Sequence, residues 1–449
     1  MLRHNQCMDV TIGRRLAARA LMAVDAGAWA ADWLRQAFES DALPPVERRL
    51  ATSLTLGVLR RRAWLDDQIQ ARLQGGAGYF SRLDPPVLHA LRLGAYQLGW
   101  LNRMPRAVVI DQAVESVKLA RLRSAAALVN AVLRRMDGAQ LAQPPAATPS
   151  LDDASWRAWL SHPGWLLEHW RNRWGEASAI RIAEWNLRAH GETVCDPAGQ
   201  SALGEPGAWV SGSRRLSPEE TRNFQNSSAV WLQNEASQFI ALLPGYDDDQ
   251  PGVAWVEACA APGGKAAASA LRQPHRMVIG LEKNISRAHT MRQRYPAANL
   301  HVVVADALRP WPLRFSPSRI LLDAPCSGTG TLGRNPDLKW RLRPEDPARL
   351  AMLQHDLLSQ ALRGASPGAR VVYSVCSLEA IEGEDLIRNI LLEFPAWRLI
   401  DSRKILTHLQ NCGAIHHVPA DLILDSGIRI LPGAGTGDGF FAAVLEAVA

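Results

Sequence analysis

The sequence predicts a multidomain protein, an all-α bundle followed by a doubly wound α/β domain, with a small α+β segment between them. The first third of the chain carries apolar residues at helical spacing, broken by short gaps. From Val253 onward short apolar runs alternate with helical stretches, the rhythm of buried parallel strands joined by crossover helices. A chain of 449 residues also exceeds one hydrophobic core, because single cores stop growing near ~250–300 residues.

Within residues 14–135 the stretch Arg15 to Val24 is a run of helix formers. Val46 to Ile69 places Leu50, Leu54, Val58, Leu65 and Ile69 on a helical period, and Val87, Leu91, Leu93, Tyr96 and Leu98 do the same. Ala107 to Leu119 and Ala125 to Met136 complete the set. Gly75-Gly76-Ala77-Gly78 and Asp84-Pro85-Pro86 separate helices. Residues 142–150, with three prolines and no periodicity, read as a linker, so a first domain is placed at 1–142. Residues 151–235 form a middle segment with Trp156, Trp159, Trp165, Trp170, Trp174, Trp185, Trp209 and Trp231. Trp170 and Trp174 share a helix face, and core packing is favoured over stacking of unpaired bases. A third domain is placed at 236–449. Its strands are read at Val253–Cys259, Arg276–Glu282, Leu300–Val304, Arg319–Asp323 and Ala369–Ser374, with Gly439–Leu445 as the last.

Charge is uneven. Residues 1–150 hold 20 Lys and Arg against 12 Asp and Glu, whereas the remainder holds 30 against 32. A basic front end fits a polyanion partner, and equally a surface that only aids solubility. No run of ~18 apolar residues suggests a membrane span, and the polar start Met1-Leu2-Arg3-His4-Asn5-Gln6 does not resemble a signal peptide. The expected compartment is the cytoplasm, and a monomer is expected. Cys7, Cys195, Cys259, Cys326, Cys376 and Cys412 form no C-x-x-C pair, so neither a disulfide framework nor a metal site is expected. Cys7, Cys195 and Cys412 read as small buried hydrophobes.

The first strand of the α/β domain runs into Cys259-Ala260-Ala261-Pro262-Gly263-Gly264-Lys265 and then an Ala-rich helix. Small residues there let a ligand approach the backbone, and the helix N-terminus offers free N–H groups. The loop is no phosphate-binding P-loop, since Cys259 stands where the first glycine should be and Ala266 follows the lysine. Glu282, at the end of the second strand, is placed to accept hydrogen bonds from ribose hydroxyls. Asp306, after the third, is placed to meet an adenine amino group. Together these residues predict a site for an adenosyl ligand that carries a carboxylate.

The fourth strand ends in Asp323-Ala324-Pro325-Cys326-Ser327-Gly328-Thr329-Gly330 and the fifth in Tyr373-Ser374-Val375-Cys376-Ser377. Ligands of open α/β sheets bind beyond the carboxyl ends of the strands, so Cys326 and Cys376 should face one cleft. Two thiols beside a methyl donor suggest methylation of cytosine carbon 5. A thiolate adding to carbon 6 makes an enamine whose carbon 5 accepts the methyl group. Asp323 near ring nitrogen 3 would stabilise the charge, and Lys265 is a candidate for favouring the thiolate. The residues alone leave open which cysteine attacks.

The chain resembles the bacterial 16S rRNA cytosine-5 methyltransferase B family (RsmB/Fmu/Sun) over nearly its whole length. Gly57-Val58-Leu59-Arg60, Leu65-Asp66, the run from Leu91 to Gln97 and the run from Val129 to Arg134 are similar to NusB, which implies a NusB-like helical domain that grips RNA. Gln233-Asn234-Glu235-Ala236-Ser237, Cys259 through Lys265, Asp323 through Gly330, Arg334-Asn335-Pro336-Asp337 with Trp340, and Asp438-Gly439-Phe440-Phe441 resemble the family's catalytic half. That implies a Rossmann-like class I methyltransferase domain, S-adenosyl-L-methionine as cofactor and 16S rRNA as partner. The resemblance further implies that Cys376 is the nucleophile and Cys326 serves product release. The chain departs from the family at Val375, Ala380, Gly383, Glu257, Glu282 and Ala266, and residues 186–200 match it poorly. The alternative is a non-catalytic RNA-binding ribosome assembly factor that kept the fold.

Overall fold

A computed structural model describes residues 10–40, 43–101, 104–199, 201–245, 254–416, 423–433 and 437–448. The polar start, Cys7 and Val253 lie outside the described residues. The chain forms two compact units, one of residues up to Arg188 with Leu332–Arg341, the other of Ala189–Thr331 with Leu342–Ala449.

The first unit is helical. It comprises α1 (Ile12–Asp25), α2 (Ala30–Ser40), α3 (Pro45–Arg60), α4 (Arg62–Gln70), α5 (Gly76–Phe80), α6 (Pro85–Trp100), α7 (Arg106–Leu119), α8 (Ala126–Arg134), α9 (Gly138–Leu141), α10 (Ala154–Leu160), α11 (Gly164–Trp174) and α12 (Glu176–Asn186). Pro45 and Pro85 open α3 and α6, where a missing N–H costs nothing and the fixed φ suits a first turn. Leu21, Leu54, Val58, Leu65, Leu91, Val129 and Leu133 meet in one core. The helical period read across Val46–Ile69 is broken in two at Arg61, whose backbone leaves the helix at φ −109° and ψ 13°. The Arg61 guanidinium lies between Trp100 and Trp159, 5.1 and 4.5 Å from their rings, and its burial lowers its pKa to about 10.

The middle segment expected at 151–235 does not stand alone. Its helical half belongs to the first unit because its tryptophans bury there, Trp159 meeting Trp64 edge-on at 5.5 Å. Trp156, Trp159, Trp170, Trp209 and Trp231 are buried, which makes them core residues and removes them as stacking platforms. The return segment Leu332–Arg341 is held inside the same unit by buried Lys339, whose Nζ donates to the Arg60 and Ser161 carbonyls at 3.0 and 2.8 Å. Trp340 Nε1 donates to the Leu59 carbonyl, and Asp337 accepts from the Ala30 amide.

The second unit starts with a four-stranded antiparallel sheet of order β2-β3-β1-β4, made of β1 (Thr193–Cys195), β2 (Glu205–Pro206), β3 (Ser213–Arg215) and β4 (Trp231–Leu232). The short helices α13 (Pro218–Asn223) and α14 (Glu235–Ile240) accompany it. Gln238 of α14 donates to the Val194 carbonyl at 3.1 Å, joining this sheet to the rest. Then come β5 (Trp255–Ala258), α15 (Gly264–Arg272), β6 (Val278–Glu282), α16 (Ile285–Arg294), β7 (Leu300–Val304), β8 (Arg319–Asp323), α17 (Asp346–Gly364), β9 (Arg370–Val375), α18 (Glu384–Glu393), β10 (Trp397–Leu399), α19 (Ser402–Asn411), β11 (Ile423–Leu424), β12 (Gly427–Ile430) and β13 (Phe440–Ala447).

These last nine strands make one sheet of order β11-β12-β13-β9-β8-β5-β6-β7, with β10 paired to β13. Strands β5 to β9 run parallel, and β13 lies antiparallel to β9. The sheet is the Rossmann-like core expected from the strand rhythm, with β10, β11 and β12 added at lengths of two to four residues that leave little period to read. Side chains alternate between two buried faces. Ile320, Leu322, Val371 and Tyr373 pack with Leu358 of α17 and Ile387 of α18. Leu321, Val372 and Val444 pack with Phe239 of α14 and Ile405 of α19. Cys195 is buried as expected, but Cys412 is exposed because it caps the end of α19. No helix among the described residues is long and apolar enough to cross a membrane.

Gly57 explains part of the sequence pattern in the helical unit. A Cβ there would lie 2.0 Å from Cζ of Tyr96, so α3 can approach α6 only without a side chain. Gly57→Ala should therefore destabilise the helical unit by about 1–3 kcal/mol through overpacking. Urea denaturation followed by helical circular dichroism would show an earlier transition, and an unchanged midpoint would contradict this packing.

Candidate active site

The carboxyl ends of β5, β6, β8 and β9 surround a cleft of about 510 Å³. Strand order dictates the place. β5 lies between β6 and β8, with β6 and β7 laid down on one side of it and β8 and β9 on the other, and the reversal of order opens a crevice there.

One end of the cleft is made by the loop after β5. Cys259 has φ +59°, a left-handed conformation rare for any residue with a side chain. Gly263, the N-cap of α15, has φ +102°, and a Cβ there would lie 2.5 Å from Cγ of Met291. Cys259 and Ala261 line the cleft. Ala260 turns into the core with Ala266 and Met291, while Pro262, Gly263 and Gly264 shape the turn without lining the cavity. Burial, then the negative charges of Asp323, Glu282 and Asp306, push the Cys259 thiol up to about 12.

Glu282 accepts from the amides of Ala261 and Asn284 at 3.3 and 2.8 Å, which locks the loops after β5 and β6 together. Asp306 accepts from the Leu308 amide at 3.1 Å and faces Lys283 at 3.7 Å. Each carboxylate keeps lone-pair sites for a ligand. Leu281, Leu308, Leu353 and Leu357 add apolar walls. Two strand-end acids beside an apolar slot fit an adenosyl group, whose hydroxyls and amino group donate and whose ring is flat and weakly polar. Lys283, Asn284 and Arg287 also line the cleft. Their place directly after Glu282 was a signal that sequence reasoning passed over. Leu353 and Leu357, one turn apart on α17, carry no local mark that separates them from core residues.

At the other end the two cysteines meet. Cys326 Sγ and Cys376 Sγ are 3.3 Å apart, and both line the cleft. The hydrogen bond to Cys376, then burial, push the Cys326 thiol well above its ordinary value. Lys265 reaches across from α15 to Asp323, its Nζ 2.5 Å from Oδ2, and Ser374 donates to the other oxygen at 2.8 Å. Burial opposes the Lys265 charge, but Asp323, Glu257 and Cys376 outweigh it and raise its pKa. Lys265 is therefore a fixed cation that feels the Cys376 sulfur. Asp323 lines the cleft as well.

A buttress beneath these loops escaped the sequence reading. Arg429 of β12 binds Glu384 through two nitrogens at 3.0 and 2.7 Å and donates to the Ser377 carbonyl at 2.5 Å. These residues lie far apart in sequence, so only the fold brings them together. Among the described residues no group of three or more His, Cys, Asp or Glu side chains could hold a metal ion.

A sequence-family model described as 16S rRNA methyltransferase RsmB/F matches residues 242–446, and one described as the NusB family matches residues 11–137. Ribosomal RNA small subunit methyltransferase B of Thermus thermophilus is 35% identical over 391 residues, 86% of this chain and 88% of that protein. The protein of the same name from Vibrio cholerae is 31% identical over 438 residues, 91% and 93% of the two chains. The solved structure of PH0851 shares the fold at a TM-score of 0.73 and 21% identity, covering 97% of this chain and 98% of its own. A methyltransferase homolog protein from Pyrococcus horikoshii does so at 0.52 and 23% identity, covering 67% of this chain and 100% of its own.

Glu257 yields a pH prediction. Burial raises its pKa to about 8, with Lys265 opposing and Asp323 adding to the rise. A raised acid stabilises the fold fully below its unfolded pKa near 4.5, and that contribution is lost as pH climbs through about 8. At about 1.4 kcal/mol per pKa unit, the loss is on the order of several kcal/mol. Glu257→Gln cannot ionise, so it should gain on the wild type between pH 5 and 9 in thermal melts. Parallel melting curves across that range would contradict the assignment.

Proposed function

The chain belongs to the 16S rRNA methyltransferase RsmB/F family, and from that premise we propose that it methylates carbon 5 of a cytosine in 16S rRNA through a covalent bond to Cys376. The observation that carries the reading is the 3.3 Å approach of two sulfurs on the wall of a cleft that also presents Glu282, Asp306 and Asp323.

Glu282 and Asp306 would hold the ribose and adenine of S-adenosyl-L-methionine, with the loop Cys259–Lys265 beside its amino-acid end. When bound, that cofactor supplies an electrophilic methyl group. The chain's own residues do the rest. Lys265 is the cation in electrostatic reach of the Cys376 sulfur. The thiolate adds to cytosine carbon 6, the carbon 5–carbon 6 double bond opens toward carbon 5 and nitrogen 3, and nitrogen 3 takes up a proton from water, its N–H then donating to the Asp323 carboxylate. Once carbon 5 is methylated, its proton passes to water in the cleft, the carbon–hydrogen pair re-forms the carbon 5–carbon 6 double bond, and the carbon 6–sulfur pair returns to Cys376. Cys326, 3.3 Å away, assists this release by a hydrogen bond to the departing sulfur. The target base must leave any stack to reach such a cleft. The NusB-like helical unit, which carries the basic excess, would grip the RNA backbone.

A tritium-transfer assay with labelled S-adenosylmethionine and unmodified 16S rRNA tests the reading. Cys376→Ala should lower turnover by about a thousandfold or more, the scale seen when a nucleophile is removed, and leave cofactor binding intact. Cys326→Ala should accumulate a protein–RNA adduct visible as a retarded gel band. Turnover surviving in the first variant, or no adduct in the second, would contradict it.

A further inference from the structure

One buried carboxylate underlies both cysteine loops. Glu382 lies on the short turn after Cys376 and is 0% exposed. Its Oε1 accepts from the Ser327 amide at 2.8 Å and from Gln354 Nε2 at 2.9 Å. Its Oε2 accepts from the Ser327 hydroxyl and from the Ser377 hydroxyl at 2.5 Å. All four lone-pair positions are in use. The Glu382 carbonyl in turn accepts from Tyr373 Oη at 2.6 Å, which anchors the turn to β9.

Ser327 directly follows Cys326, and Ser377 directly follows Cys376. One side chain thus grips the residue next to each sulfur. The two cysteines are not equally supported without it. Cys376 follows the end of β9, a strand paired on both sides, whereas Cys326 sits in a stretch without helix or strand. Nothing in the transfer chemistry requires Glu382, since it does not line the cleft.

We propose that Glu382 is a positioning residue that holds the Cys326 loop against the Cys376 loop, and so sets the balance between forming the covalent intermediate and releasing it. The proposal rests on the thiol chemistry above. Loosening the clamp moves Cys326 more than Cys376, so attack persists while release falters. The role is geometric and does not need the charge. A glutamine has the same shape. Its oxygen can accept from the Ser327 amide and Gln354, while its NH₂ donates to the two serine hydroxyls, which accept as well as donate.

The test uses the full chain and 16S rRNA, reading turnover and the adduct fraction in the same samples, with Cys326→Ala as the adduct standard. Glu382→Ala should lower turnover about tenfold or more, as when a buried network loses its hub, and raise the adduct fraction toward that of Cys326→Ala. Glu382→Gln should restore both to near wild-type values. Should Glu382→Ala fail to fold, Ser327→Ala, which removes one hydroxyl from the same network, should still raise the adduct fraction. The clamp is overturned if folded Glu382→Ala loses turnover with no adduct, if the glutamine variant behaves like the alanine one, or if Ser327→Ala matches the wild type. Absence of the adduct from Cys326→Ala as well would overturn the thiol chemistry together with the clamp.

Discussion

The site depends on the parallel pairing of β8 with β9, in which Asp323 stands opposite Ser374. Both strands are buried among helices on two faces, so a one-residue slip would turn every core side chain the wrong way. That register sets the exits of the two loops side by side. The Ala324 amide donates to the Ser374 carbonyl at 2.9 Å, and the Gly330 amide donates to the Cys376 carbonyl at 3.0 Å. The sulfurs meet because the backbone beneath them is already stitched.

Electrostatics then distinguish thiols that composition alone cannot. Cys259 shares the cleft but sits among three carboxylates, which with burial keep it protonated. The bond to its neighbour and burial raise the Cys326 thiol. Cys376 is the sulfur that the Lys265 ammonium feels. In the proposed mechanism an attacking thiolate gains from a nearby positive charge.

Much of this was legible in the sequence where function writes itself into consecutive residues. The strand ends at Glu282 and Asp323 and the loop Cys259–Lys265 were placed from apolar runs and small residues alone, and they lie where the sheet order requires. Helix periodicity carried across Arg61, because a break made by a buried guanidinium between two distant tryptophans leaves no local sign. The tryptophan-rich segment read as one piece, yet its helices and its strands bury against different partners, a choice made by tertiary packing. Glu382, Gln354 and Arg429 were invisible for a related reason. Each looks like an ordinary polar residue until the fold carries its partners to it.

The claim that most needs testing is which sulfur bonds to the base. A 16S rRNA fragment carrying 5-fluorocytidine cannot lose a proton from carbon 5, so the intermediate stalls after methyl transfer. Proteolysis and mass spectrometry of that stalled species would identify the linked peptide. A single nucleotide-bearing peptide is expected, in which the modified residue is Cys376. A crosslink on Cys326, or on Cys259, would contradict it.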